Sequence, residues 1–258
     1  REIFGGGDPG SVALLLFSIG TFVSAALIAR TFGVLALGPS HRLSHSMVDS
    51  LRSVTGDLVS GARTLHSHPD AARALILVVI NRVSFGVVIS GSLLLLRNTF
   101  HQSVNANAAL ADFVVLSGCA ATAALIAAIL TPWVTRKIGI PHWSALTVGQ
   151  ASIGMLVFAL GATGQNFPLL ILAVFSLGFA GQAVKVCSDT VIQKQIPDTS
   201  LGRVFALFDM SVNVALVLGI IAVALLSPVT GVAPLLYLGV GVGLALASYW
   251  YWCTDRHR

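Results

Sequence analysis

Four ionisable residues lie inside the long apolar runs of this chain, and each is of a type that can pair with a charge or carry a proton. They are Arg82, Lys185, Asp189 and Asp209. A charge near the centre of a membrane-spanning helix costs about 2.5–3.5 kcal/mol on insertion scales, so it usually faces a partner or a water-filled cavity. The four fall in only three of the seven apolar runs. The pattern predicts a membrane protein with a polar path through its interior.

The apolar runs determine the expected fold class. Hydrophobic residues make up 55% of the 258 residues and charged residues only 10%, whereas soluble domains carry about 25% charged residues. Runs of about 20 apolar residues can cross a hydrocarbon core as helices, in which the backbone satisfies its own hydrogen bonds. The runs lie at about 11–36, 74–96, 110–134, 144–163, 168–192, 204–226 and 232–252. We therefore expect an all-α, polytopic transmembrane helical bundle with about seven transmembrane helices.

The basic residues predict the orientation of this bundle. If the first helix runs from outside to inside, only Arg1 and Arg97 lie outside, and the arginines and lysines near the other helix ends lie on the cytoplasmic side. This is the positive-inside distribution of membrane proteins. This distribution explains the net charge of +5. The expected partner is therefore a lipid bilayer rather than nucleic acid. The expected location is the cell (inner) membrane, with residues 38–71 and the C-terminus cytoplasmic.

The polar stretch 38–71 is predicted to be a linker that contains an amphipathic helix. Apolar residues recur there at three- and four-residue spacing, at Met47, Leu51, Val54, Leu58, Ala62 and Leu65. Arg52, Asp57 and Arg63 fall on the polar positions of the same helix. Such a helix is expected to lie on the cytoplasmic face, between headgroups and acyl chains.

The sequence predicts no metal site, no cofactor and no enzyme. Histidines in or beside the linker are His41, His45, His66 and His68. The first two have the i,i+4 spacing of shared metal ligands, but no acidic or cysteine partner stands at ligand spacing. The three cysteines fall in or at the ends of apolar runs and are interpreted as small apolar side chains. The apolar runs contain no nucleophile–base pair.

Lys185, Asp189 and Gln193 are spaced i, i+4, i+8 and therefore share one face of a helix. One interpretation is a cavity wall on which Asp189 exchanges a proton or pairs with a cation. The other is that Lys185 neutralises Asp189 within the helix and extends toward the cytoplasm. Both interpretations stay open at this stage.

Arg82 is the deepest cation, and an arginine at that depth can bind an anionic substrate group or hold a neighbouring carboxylate. Asp209 lies at a similar depth in its own run, with Asn213 following at i+4. Pairing of Arg82 with Asp209 is therefore a hypothesis, and Asp209 is the preferred candidate for carrying the coupling proton.

Charges near the predicted cytoplasmic surface are candidates for a gate. The stretch 131–139 is predicted to be a tight basic connection that carries Arg136 and Lys137. Gln193 and Arg203 lie beside the next connection and complete the set of gate candidates. The need for a charge signal that orients the helices would also explain the basic residues.

Two pairs of glycines predict close helix packing. Gly178 and Gly181 stand on the helix that carries Lys185, where the lack of a side chain permits the close approach of a neighbour. Gly239 and Gly243 in the last run have the small-xxx-small spacing, which favours packing within the bundle over dimerisation.

Several of these segments resemble members of the major facilitator superfamily. The segments Asp189-Thr-Val-Ile-Gln193 and Gly202–Asp209 resemble the tenth and eleventh helices of its exporters. Residues 96–101 are similar to the end of the seventh helix in actinobacterial members. The stretch 131–139 resembles the loop between helices eight and nine, with Thr135 where an aspartate is common. The resemblance covers about 70–252, and 10–70 is similar to helix six and the central linker.

The resemblance implies a general-transporter fold of twelve helices in two halves around a central cavity. Residues 1–37 would then be the last transmembrane helix of the N-terminal half, 38–71 the linker, and 72–258 the six-helix C-terminal half. The chain begins at Arg1 rather than at a methionine, so the first five helices of the same permease are expected upstream. In this fold helices seven, ten and eleven line the cavity, and these are the helices that carry the internal charges here.

The resemblance also implies secondary active export of a small molecule by alternating access, with protons as the coupling ion. Two alternatives come from other classes. One is a non-transporting membrane protein or an incomplete permease fragment without activity of its own. The other is a retinal-type protein, which the position of Lys185 disfavours because that fold carries its lysine on the last helix.

Overall fold

The computed structural model describes residues 9–31, 47–101 and 105–256, and in these residues it is a helical bundle without strands. The helices are α1 (Pro9–Thr31), α2 (Met47–His66), α3 (Pro69–Leu94, extended by a π-helical turn Leu95–Phe100), α4 (Ala106–Ile138), α5 (Ile140–Thr163), α6 (Phe167–Gln195), α7 (Asp198–Leu226) and α8 (Pro234–Arg256). The six from α3 to α8 are long and apolar enough to cross a membrane. The predicted fold class is confirmed.

The chain divides into two compact units, Arg1–Arg52 and Ser53–Arg258. The first contains α1, which contributes the shorter apolar segment Ser18–Ile28 to the described residues. The linker positions 38–46, including His41 and His45, lie outside the part of the chain that the structure describes.

Short connections place sequential helices antiparallel in the second unit. At one end, Asn98 Nδ2 donates to the carbonyl oxygen of Val229 at 2.6 Å and thereby joins the end of α3 to the α7–α8 connection. At the other end, Gln195 Nε2 donates to Asp70 Oδ2 at 3.0 Å and joins the end of α6 to the start of α3. We call this second end the basic end, since it carries Arg73, Arg136, Lys137, Lys194 and Arg203.

Helix α3 lies at the centre of the unit, because it contacts each of the other five spans, and α6 packs on α3, α4 and α5. Glycine permits the closest of these crossings. A Cβ atom on Gly219 of α7 would overlap the carbonyl oxygen of Val83 and lie 3.0 Å from the Cα atom of Gly86 on α3. A Cβ on Gly178 of α6 would lie 2.7 Å from the carbonyl oxygen of Ala120 on α4. The prediction of close approach at Gly178 is confirmed.

The prediction for Gly239 and Gly243 is wrong for the described residues, because a Cβ on either glycine would meet no atom within 4 Å. On α8 it is Gly241 that faces a neighbour, with Met155 Cβ of α5 3.2 Å from its added Cβ. The small-xxx-small spacing places both glycines on one face of the helix, but it does not indicate whether that face meets a neighbour.

The predicted connection at 131–139 is also wrong, since α4 continues through Pro132 to Ile138. The change of direction falls at Gly139, whose φ of +87° lies in the region that favours glycine. Trp143 Nε1 of α5 donates to Thr131 Oγ1 at 3.2 Å and fastens the two helices beside this turn.

The linker helix α2 contacts protein through a face that the sequence assigned partly to the polar side. Asp57 Oδ1 accepts a bond from Arg203 Nε at 3.1 Å. One turn on, a Cβ on Gly61 would lie 2.9 Å from the carbonyl oxygen of Arg203. Another turn on, Leu65 is buried. Asp57 and Gly61 are one turn apart, so one face of α2 contacts Arg203 at the start of α7.

Candidate functional site

A cavity of about 660 Å³ lies between α3, α4, α6 and α7. Sites for small molecules usually measure about 300–1,000 Å³. Its walls are mostly apolar, and its polar lining consists of Asn81, Arg82, Ser92, Ser117, Gln182 and Lys185. The crossings at Gly86–Gly219 and Gly178–Ala120 hold the four helices that enclose it. Arg82 of α3 and Lys185 of α6 therefore line the same cavity.

Arg82 and Asn81 supply one polar end of the cavity wall on α3. Asn81 is 5% exposed, and its Oδ1 atom has no hydrogen-bond partner in the described part of the chain. Arg82 Nε is likewise buried without a described partner, and no salt bridge joins this guanidinium to any described acid. A guanidinium stays charged in proteins, and a buried charge without a partner is costly. This end of the cavity therefore attracts negative charge.

Lys185 and Asp189 form the charged pair of the α6 wall. Lys185 Nζ, which lines the cavity, donates to Asp189 Oδ2 at 2.8 Å. This bond confirms the prediction that Lys185 pairs with Asp189 within the helix. Asp189 Oδ1 is buried and finds no partner among the described residues. The carboxylate thus keeps one free acceptor beside a cation that faces the cavity.

Each cavity cation lies over an aromatic ring. Arg82 Cζ is 5.4 Å from the centroid of Phe85, and Lys185 Nζ is 5.7 Å from that of Phe208. Both distances are within the range of cation–π attraction. The rings also line the cavity, so the two charges border apolar surface rather than a continuous polar channel.

Asp209 and Asn213 are outside this cavity. Phe208 and Val212 of α7 line it, and the next residue after each is rotated by about 100° around the helix. Asp209 and Asn213 are accordingly exposed, with Asn213 Nδ2 donating to the Asp209 carbonyl oxygen at 2.8 Å. The hypothesised pair between Arg82 and Asp209 is absent from the described residues.

The gate candidates are at the basic end and are not gathered around one point. Arg136 and Lys137 are exposed in the last turn of α4, where Lys137 Nζ lies 3.9 Å from the centroid of Trp133. Gln193 is exposed as well, and Arg203 pairs with Asp57 of the linker helix. Asp189 bonds to Lys185 rather than to the basic residues of α4.

The wall formed by α4 was not predicted from the sequence, because it carries no charged residue. Helix α4 contributes Phe113, Leu116, Ser117, Ala120, Ala121 and Ala124 to the cavity. These residues recur at three- and four-residue spacing along one helix face. The small side chains on that face are the sequence feature that could have predicted this wall. Among the described residues no group of three His, Cys, Asp or Glu side chains is placed to hold a metal.

Two curated proteins are similar to this chain along most of its length. Uncharacterized MFS-type transporters of Mycobacterium bovis and Mycobacterium tuberculosis are each 31% identical over 241 residues, which cover 92% of this chain and 52% of the relative. The chain thus spans about half the length of the curated relatives it matches. No protein-family model matches the sequence, and no solved structure matches it. The predicted resemblance to the major facilitator superfamily is confirmed.

Proposed function

Because the chain is a homologue of MFS-type transporters and spans about half of their length, we propose that its second unit forms one half of a secondary active transporter. The transporter moves a small molecule across the cell membrane by alternating access. The observation that carries this proposal is the cavity of about 660 Å³, which lies between four membrane-length helices and is bordered by two cations.

The domain boundaries follow from this proposal. Residues 1–37 supply the last span of the N-terminal half, 38–71 the linker, and 72–258 the six spans of the C-terminal half. The docking of α2 on α7 through Asp57 and Gly61 supports a linker attached to the C-terminal half. The basic end faces the cytoplasm, as the positive-inside rule expects, and the direction of transport is export.

Asp189 is the acid that couples transport to protons in this proposal. It pairs with the cavity cation Lys185, whereas the side chain of Asp209 lies off the cavity. Protonation of Asp189 removes the charge that holds Lys185, so the lysine becomes free to bind a ligand or to reject one. Loading of the cavity and protonation of the acid are thereby linked.

Alternating access is testable without a known substrate. The protein is expressed from its complete coding sequence with Cys119, Cys187 and Cys253 changed to alanine, and one new cysteine is introduced at Ser117 in the cavity. A membrane-impermeant maleimide is applied to right-side-out and to inverted vesicles. We expect Ser117→Cys to react from both sides, because the cavity opens to each side in turn.

Two control positions report the orientation in the same experiment. Val229 is 82% exposed at the end opposite the basic end, and Val229→Cys should react only from outside. Lys194→Cys, at the basic end, should react only from the cytoplasmic side. If Ser117→Cys reacts from one side alone while both controls behave as stated, the protein is a membrane protein that does not alternate.

A further inference from the structure

The charges that line the cavity do not balance. Arg82 and Lys185 both face it, and none of the described residues that line it is acidic. Asp189 compensates Lys185 from within α6 through the 2.8 Å bond to Oδ2. Arg82 has no such partner among the described residues, and its Nε atom is buried there without a hydrogen bond. The excess positive charge is therefore located at Arg82.

The two cations are close enough along the helices to act on one ligand. Ser188 Oγ of α6 donates to the Ala74 carbonyl oxygen of α3 at 3.1 Å, and a Cβ on Gly181 would lie 3.4 Å from Asn81 Nδ2. These contacts fix the antiparallel register of the two helices. With a rise of about 1.5 Å per residue, Lys185 lies about 7–8 Å nearer the basic end than Arg82. Both side chains are long enough to reach the space between these levels.

Further polar groups near and beyond Arg82 lack partners. Asn81 Oδ1 and Ser92 Oγ are buried in the cavity wall without hydrogen bonds to described groups, and their residues are only 5% and 2% exposed. Buried polar atoms are nearly always bonded in native proteins. Along α3, Ser92 lies about 15 Å from Arg82. A ligand that satisfies all these groups is an elongated molecule with a charged head and a further polar group.

The rest of the wall is apolar and aromatic. Phe85 lies beside Arg82 and Phe208 beside Lys185, and Leu116 of α4 faces the same space. Such a surface binds an apolar body by removing it from water. A small inorganic anion would leave this surface uncovered, so the head group alone does not explain the cavity.

We propose that the cavity binds an amphipathic organic anion whose oxyanion head pairs with Arg82 and whose apolar body lies between Phe85, Leu116 and Phe208. The carboxylate, sulfonate or phosphate of such a molecule takes the guanidinium in a two-point contact. This inference rests on the proposed function in one respect: the bound anion is the cargo of the transporter. Protonation of Asp189 would free Lys185 as a second cation for the same head group.

The test uses three probes with the same apolar body and different heads: 4-biphenylacetate, 4-biphenylmethanol and 4-biphenylmethylammonium. Each is titrated into the purified protein, produced from its complete coding sequence, and the rise in melting temperature gives an apparent Kd. We expect stabilisation by the acetate and little or none by the alcohol and the ammonium. Equal stabilisation by all three probes would overturn the proposal, because the cavity would then recognise only the apolar body.

Variants locate the binding. Arg82→Gln keeps a hydrogen-bonding side chain but removes the charge, and we expect it to raise the Kd for the acetate about tenfold or more. The Kd of Arg82→Lys for the acetate should lie between those of the wild type and Arg82→Gln, because lysine keeps only a point charge. The matched control is Arg97→Gln, an exposed arginine at the far end of α3, which should leave the Kd unchanged. Equal losses in both Gln variants would overturn the assignment to Arg82.

A second variant keeps the test decisive if Arg82→Gln does not fold. Ala121→Phe narrows the apolar part of the cavity on α4 and leaves both cations in place, so it should also weaken binding of the acetate. If the acetate never stabilises the wild-type protein, and Arg82→Gln lowers the melting temperature without any ligand, the partner of Arg82 is a carboxylate of the protein itself. That result rejects the proposal.

The outcome is separable from that of the proposed function. Labelling of Ser117→Cys from both sides without binding of the acetate would overturn the substrate class and leave the transporter standing. Binding of the acetate with labelling from one side alone would support the anion site and reject alternating access.

Discussion

Helices α6 and α7 each carry an acid within a membrane-length apolar segment, but the two acids differ in burial and in ion pairing. Asp189 of α6 is partly buried and bonds to Lys185 one turn away. Asp209 of α7 is exposed, and its carboxylate has no ion-pair partner among the described residues. Because Asp209 lies about 16 Å from the start of α7, it sits well within the span. The charge on α6 is satisfied inside this bundle, whereas the charge on α7 requires something outside it.

The difference follows from which face of each helix is buried. On α7 the buried residues are Val204, Phe208, Val212, Ala215, Gly219 and Val223. Asp209 and Asn213 flank this stripe on one side, and the apolar Val214 and Leu218 flank it on the other. The polar flank is the part of α7 that we expect water or another protein segment to cover. This agrees with a chain that spans about half the length of its relatives.

The largest expected loss of stability comes from a bulky side chain at the crossing of α7 and α3. Gly219→Val places side-chain atoms against the backbone of Val83 and Gly86, and backbone atoms cannot move aside as a flexible side chain can. Overpacking usually costs about 1–3 kcal/mol, and we expect at least the upper end of that range, seen as loss of monodisperse protein in size-exclusion chromatography. The matched control is Gly239→Val, where nothing lies within 4 Å. Equal behaviour of the two variants would contradict the crossing that orients Asp209.

The next effect tests whether the acid of α6 is satisfied internally. Asp189→Asn leaves the Lys185 ammonium without its partner. Breaking a fully buried pair costs about 3–5 kcal/mol, but these side chains are 28% and 42% exposed, so we expect about 1–2 kcal/mol. Thermal unfolding measures the loss. The double change Asp189→Asn with Lys185→Met should recover most of it, and a loss equal to the sum of the losses in the two single variants would show that the two residues do not interact.

The sequence located these charges correctly because a charge in an apolar run is rare and costly. It did not reveal which way each charge points, since direction depends on which neighbours the helix meets. Asp209 was placed opposite Arg82 on depth alone, yet one residue of rotation separates it from Phe208 on the cavity wall. The α4 wall carries no charge, so a census of charges missed it. The docking face of α2 depends on Gly61, which hydrophobic spacing does not mark.

A third and smaller effect tests whether water reaches the polar flank of α7. In the background without Cys119, Cys187 and Cys253, Asp209→Cys should add labelling by a membrane-impermeant methanethiosulfonate reagent about tenfold faster than Leu218→Cys, because thiolates form only where water has access. Leu218 is 53% exposed on the apolar flank of the same helix and serves as the matched control. Equal slow rates at both positions would mean that Asp209 faces lipid or is sealed within protein. That result would contradict the expected access of water to the polar flank.

The smallest expected effect concerns Arg203 of α7, which does have a partner in this chain. Its bond to Asp57 of α2 is 3.1 Å long, but the side chains are 49% and 59% exposed, and exposed pairs contribute about 0.2–1 kcal/mol. A double-mutant cycle with Asp57→Ala and Arg203→Ala should therefore give a coupling energy of about 0.5 kcal/mol. Docking of α2 depends more on the close contact at Gly61, so Gly61→Val should destabilise α2 more than either alanine. A coupling energy above about 1.5 kcal/mol would indicate that the pair is shielded from water. The basic end of α7 would then be covered, as we expect for the polar flank that carries Asp209.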